Sequence, residues 1–92
     1  MKTGVELIAQ ERDEQIEKHG FTVGRDVVEN RGEQLTEAVI KLLDENSDRM
    51  NYPEGWSEIV WWRMMSKPYK ERLIIAGALL AAEIDRLQAH ER

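Results

Sequence analysis

The 92-residue chain contains no cysteine, which excludes disulfides, thiolate nucleophiles and cysteine-ligated zinc. Proline is nearly absent too, with Pro53 and Pro68 alone, so little of the chain is barred from helix. No apolar run approaches the roughly 20 residues a membrane span needs; the longest, LIIAGALLAA from Leu73 to Ala82, has ten and is bounded by Arg72 and Glu83. Basic residues are in deficit. Thirteen Lys and Arg against eighteen Asp and Glu give a net charge of −5, the wrong sign for a duplex-DNA or anionic-membrane binder. The first residues, MKTGVELIAQERDEQ, lack the apolar segment of a secretory signal, which predicts a cytoplasmic location.

What remains is helical punctuation. Thr3 with Glu6 three residues on forms a capping-box pattern and predicts a helix over about 3–19 that stops at Gly20. On its wheel Val5, Ile8, Ala9 and Ile16 share a face with Arg12, Gln15 and His19. Gly20 to Arg31 reads as an ordered loop pinned by Phe21 and Val23, with Asp26 or Asn30 placed to cap the next helix. That second helix is predicted over about 32–45, with Leu35, Ala38, Val39, Leu42 and Leu43 inward and Glu33, Glu37 and Asp44 outward.

Turn residues cluster between Glu45 and Gly55. The Trp-rich connector after them forms a short helix or an irregular aromatic cap, since one strand-like run has no partner with which to make a sheet. Trp56, Trp61 and Trp62 therefore either lid the core or form an exposed interface patch. Pro68 suits the first turn of a last helix, predicted over about 68–90. On it Leu73, Ala76, Gly77, Leu80, Ile84 and Leu87 fall on one face, and Ile75, Leu79 and Ala82 widen that face sideways. Apolar over most of its circumference, this helix wants partners on more than one side. Gly77 and the neighbouring alanines leave room for a close helix. The expectation is one all-α domain over residues 1–92, with three main helices. Its modest core makes a homo-oligomer or a protein partner attractive.

Several segments form an ordered series: Glu11 and Arg12, Gln15 and Ile16, Gly20 to Thr22, Asp26, NRGEQL from Asn30, Trp61, Lys67 with Pro68, and AGALLAAEIDRL from Ala76. This series resembles a family of small proteins encoded in bacteriophages and prophages, patterned ERxxQI…GWT…D…NGEL…W…KP…AGALIAAEIERL. The resemblance covers most of the chain except Lys41 to Gly55. Phe21 stands where the family carries Trp, and Arg31 is inserted between the Asn and the Gly. The resemblance implies a phage or prophage setting and no established activity.

Two functions are open to these residues. A binding or assembly module would use a buried polar cluster of Arg12, Gln15, Asp26 and Glu83, or the tryptophan patch. Within that cluster, Arg12 either snorkels to water or pairs with Glu83 across the helix interface, because a buried charge without a partner is very costly. The module needs no cofactor. The alternative is a Mg²⁺-dependent nucleotide pyrophosphohydrolase similar in a general way to the MazG type, with Glu33 and Glu37 facing Glu83 and Asp85 as metal ligands. Against it, position 34 is Gln, and Glu83 and Asp85 lie about 200° apart on the wheel. Arg63, Lys67, Lys70 and Arg72 beside the aromatics offer a basic patch for stacked bases, which the acidic balance of the chain opposes.

Overall fold

The computed structural model describes residues 1–19, 34–44, 52–53 and 55–90, and these are all-α. Four helices run in order: α1 Gly4–His19, α2 Gln34–Leu43, α3 Glu58–Met65 and α4 Tyr69–His90. The connector settles as a short helix, so the described residues hold one helix more than the three main ones expected. Among the described residues, no helix is long and apolar enough to cross a membrane.

Each visible start has a local cause. At α1 the capping box forms in both directions: the Glu6 N–H donates to Thr3 Oγ1 at 3.2 Å, and the Thr3 N–H donates to Glu6 Oε1 at 3.0 Å. Ahead of α3, the Trp56 N–H closes a turn on the Pro53 carbonyl at 3.1 Å, with Gly55 at φ 83°, a left-handed conformation that glycine adopts without strain. Ser57 then caps α3, its hydroxyl accepting from the Val60 N–H at 3.4 Å. Helix α3 closes at Ser66. Two residues on, the Pro68 carbonyl accepts from the Arg72 N–H at 3.0 Å and starts α4, as the proline signal predicts.

The other three helices all pack on α4, α2 most extensively. The core joins Leu35, Ala38, Val39 and Leu42 of α2, Trp61, Met64 and Met65 of α3, and Ile75, Ala76, Leu79 and Ala82 of α4. Leu35, Leu42, Leu79 and Trp61 are fully enclosed; each buried Leu contributes roughly 1.5 to 3 kcal/mol. Helix α1 adds no residue to this cluster. It docks through Ile8, whose side chain rests on the bare backbone of Gly77.

Three expectations about facing need correction. Leu43 is exposed, at the end of α2 where no helix covers it. On α1 the side turned inward carries Arg12 and Gln15, while Val5, Ala9 and Ile16 face solvent. On α4 the chain buries the Ile75, Leu79 and Ala82 side; Leu73, Leu80, Ile84 and Leu87 point outward. The cause lies in α4 itself. Both of its sides are apolar, and α2 and α3 occupy only one of them. Phe21, Val23, Asp26, Asn30 and Glu33 lie outside the described residues.

Candidate functional site

The buried side of α4 carries charge. Arg72, Glu83 and Arg86 are buried, as are Arg12 and Gln15 on α1. Taking such groups out of water is expensive, so each position should show a partner. Glu83 has two: Arg86 Nε, one turn along the same helix, donates to its Oε1, and Thr36 Oγ1 of α2 donates to its Oε2 at 3.1 Å. The carboxylate therefore pins α2 to α4 while satisfied from its own helix.

The expected pair of Arg12 with Glu83 is not made. Arg12 Nη2 lies 3.5 Å from Asp85 Oδ2, and the Asp85 side chain is half exposed. The physical reason is proximity: Arg86, at i+3, reaches Glu83 without crossing a helix interface. Nor does Arg12 snorkel to bulk water, since it is 8% exposed. Gln15, fully buried, donates from Nε2 to Glu11 Oε2 at 3.3 Å, and its Oε1 is enclosed with no hydrogen-bond partner among the described residues. Of the four residues expected to converge, Arg12 and Gln15 share α1, Glu83 belongs to a separate network with Thr36 and Arg86, and Asp26 lies outside the described residues.

Arg72, expected in a basic surface patch with Arg63, Lys67 and Lys70, is instead buried, and its role was missed. From α4 its Nη2 donates to the Asp44 carbonyl at 2.8 Å and the Lys41 carbonyl at 3.4 Å, at the open end of α2. A cation placed there satisfies orphan carbonyls and complements the helix dipole. The signal was available: Arg72 directly precedes the apolar run and stands on the side of α4 that carries Ile75 and Leu79.

The tryptophans divide. Trp61 is wholly buried and meets half-buried Trp56 edge to face, with ring centroids 5.9 Å apart and planes at 78°. Trp62 alone is exposed, beside exposed Ile59 on α3. The three residues are therefore no common interface. Two belong to the interior, because successive helical positions lie about 100° apart and Trp61 and Trp62 cannot face the same way.

The metal candidates part similarly. Glu37 is ion-paired with Lys41 one turn on along α2. Among the described residues, no three His, Asp or Glu side chains converge as a metal site. A shallow cleft of about 210 Å³ between α1 and the start of α4 is lined by Glu11, Glu14, Glu71 and Lys67 over Leu7, Ile74 and Ile75. Its volume is below the roughly 300 Å³ at which small-molecule sites begin. Its three carboxylates against one ammonium would repel a phosphate.

The titration of Glu6 is displaced. The Thr3 backbone N–H, and secondarily the Thr3 side chain, hold Glu6 below the ordinary carboxylate range. That is a helix-cap effect on the surface, remote from the buried charges. No family model, curated protein or solved structure matches the chain.

Proposed function

We propose that this chain is a small helical binding or assembly module of phage or prophage type, acting in the cytoplasm as a homo-oligomer and needing no cofactor. The observation that carries this reading is the outward side of α4, where Leu73, Leu80, Ile84 and Leu87 are all exposed. Contiguous apolar surface on a soluble chain marks an interaction site. The polar groups beneath support it, because Glu83 is already engaged by Arg86 and Thr36, and Glu37 by Lys41. The phage setting rests on the sequence pattern from Glu11 to Leu87.

Pyrophosphate release from a panel of deoxynucleoside triphosphates with Mg²⁺ or Mn²⁺ tests the reading against the pyrophosphohydrolase alternative. The expected result is no release above the protein-free reaction. Release that disappears in Glu37→Gln would establish the enzyme and overturn the module.

A further inference from the structure

Helix α4 is inverted. Its buried side holds Arg72, Glu83 and Arg86, while Leu73, Leu80, Ile84, Leu87 and Gln88 are exposed and uncharged, with the half-exposed Asp85 at their edge. At about 100° per residue these five, with Gly77 and Ala81, occupy a single arc of about 120°. The four large side chains in it are between 39% and 55% exposed. Scattered single leucines on a surface need no explanation, but a continuous uncharged stripe along a helix does.

The stripe has a seam's spacing. Leu73, Leu80 and Leu87 recur every seven residues at d-type positions, and Ile84 stands at the a-type position between the last two, while the other a-type position, Gly77, is covered by Ile8 of α1. Ile at a with Leu at d is the pattern that favours two strands. Helix α1 extends the surface, since Ile8 sits on Gly77 inside the stripe and Val5, one turn from Ile8, is 79% exposed. The 22 residues of α4 span about 33 Å. With α1 alongside at the usual 8–10 Å spacing, the face covers on the order of 600 Å². Specific dimers bury roughly 600–1,000 Å² per partner, so a face of this size stands at the lower end of that range.

We propose that the occupant is a second copy of this chain, docked about a twofold axis on the Leu73, Leu80, Ile84 and Leu87 face of α4. The inference rests on the module reading and names its partner. Any contact between copies must keep like charges apart, because two chains of net charge −5 repel one another and a twofold contact sets each patch against itself. This stripe meets its own copy without opposing like charges, whereas an acidic or basic target would find no complementary group in it. Twofold docking also covers the part of this side of α4 that α1 leaves open.

Sedimentation velocity on the full chain across micromolar to sub-millimolar concentrations tests the proposal. Wild type should run at twice the 10.7 kDa of one chain. The pair Leu80→Glu with Ile84→Glu should run as a monomer with unchanged helical circular dichroism. Trp62→Ser, on the exposed aromatic spot of α3, should remain dimeric. If the glutamate pair unfolds the chain, Leu80→Ala with Ile84→Ala decides: a dissociation constant raised at least tenfold supports the seam, and an unchanged one overturns it. A monomeric wild type, or a dimer lost on Trp62→Ser and kept in the α4 variants, also overturns it. These outcomes are independent of pyrophosphate release. A dimer that hydrolyses nucleotides would keep the seam and lose the module, while an inactive monomer would lose the seam and the homo-oligomer and keep only the binding module.

Discussion

Replacing Gly77 with alanine should destabilise this protein, although the same change in an ordinary helix stabilises it. Two effects of known size oppose each other. Ala is favoured over Gly inside a helix by about 1 kcal/mol, through lower backbone entropy in the unfolded chain. A Cβ at Gly77, however, would lie 2.7 Å from Ile8 Cδ1, 2.9 Å from Cγ1 and 3.4 Å from Cγ2. The near contact with Cδ1 alone could be relieved by swinging the end of the side chain. Cγ1 and Cγ2 cannot leave together, because a β-branched residue in a helix is held near one χ1. Helix α1 must therefore back away, and overpacking of this kind costs about 1–3 kcal/mol. The net expectation for Gly77→Ala is a loss of about 1 kcal/mol, or roughly 4–8 °C in Tm for a domain of this size.

The sign should reverse in a second background. Ile8→Ala removes the obstructing atoms and costs about 1–2 kcal/mol by itself, below the range for fully buried isoleucine because Ile8 is half-buried. With Ile8 already Ala, Gly77→Ala should stabilise by about 1 kcal/mol, leaving a coupling of about 2 kcal/mol between the sites. Urea denaturation followed at 222 nm, with all four proteins at one concentration, measures the cycle. If Gly77→Ala stabilises the chain in both backgrounds, the close approach of α1 to α4 is refuted.

The buried network and its half-exposed neighbour should respond differently to truncation. Arg86→Met leaves the buried Glu83 carboxylate with Thr36 alone and should cost about 3–5 kcal/mol by chemical denaturation, whereas Asp85→Asn, at the half-exposed pair, should cost under about 1 kcal/mol. Equal costs would show that the two acids share one environment. For the tryptophans, Trp61→Ala should cost about 3–5 kcal/mol and Trp62→Ala under about 0.5 kcal/mol at concentrations where both are in one association state. The emission of Trp61 should resist acrylamide quenching, which a chain carrying both Trp56→Phe and Trp62→Phe reveals. Glu6 has a folded pKa below its ordinary 4.5, so its contribution is present above the unfolded value and lost as pH falls through the folded one. Comparing wild type with Glu6→Gln in acid, the stability gap should narrow below about pH 4.5 and stay flat from there to neutrality; a gap that widens in acid contradicts the cap.

Much of the fold was legible because its signals are local. The reciprocal bonds of Thr3 and Glu6, the start of α4 after Pro68 and the helical period of α2 need nothing beyond neighbouring residues. Which side of α4 faces in was not legible, because that is decided between helices. Leu73, Leu80 and Ile84 make as good an inner face as Ile75, Leu79 and Ala82 by hydrophobicity, and the usual preference for exposing charge would choose the former. The candidate site failed at the same point. Pairing Glu83 with Arg12 assumed that the nearest cation lay across an interface, yet Arg86 stands three residues away on the same helix. That alternative was in the sequence and follows from the i, i+3 rule. The different directions of Trp61 and Trp62 were readable in the same way. The carbonyl partners of Arg72 were not, since they depend on where α2 ends against α4.

The inversion of α4 also bears on what the chain is built for. A buried ion pair is a poor source of stability, and exchanging one for apolar side chains of similar volume is often neutral or stabilising. An arrangement serving only the isolated chain would turn Leu80, Ile84 and Leu87 inward and leave Glu83 and Arg86 in water. The structure does the reverse, and each inward charge has a geometric role. Glu83 ties Thr36 of α2 to α4, and Arg72 fixes where α2 ends. Polar contacts of this kind specify register, since a one-turn slip would strand a charge, whereas leucines tolerate such slips. With the inner side held in one register by polar pairs, the outer leucines and Ile84 are presented along a straight, sevenfold line. A face so presented is of use only to a second surface that matches it, and another α4 carries that same line.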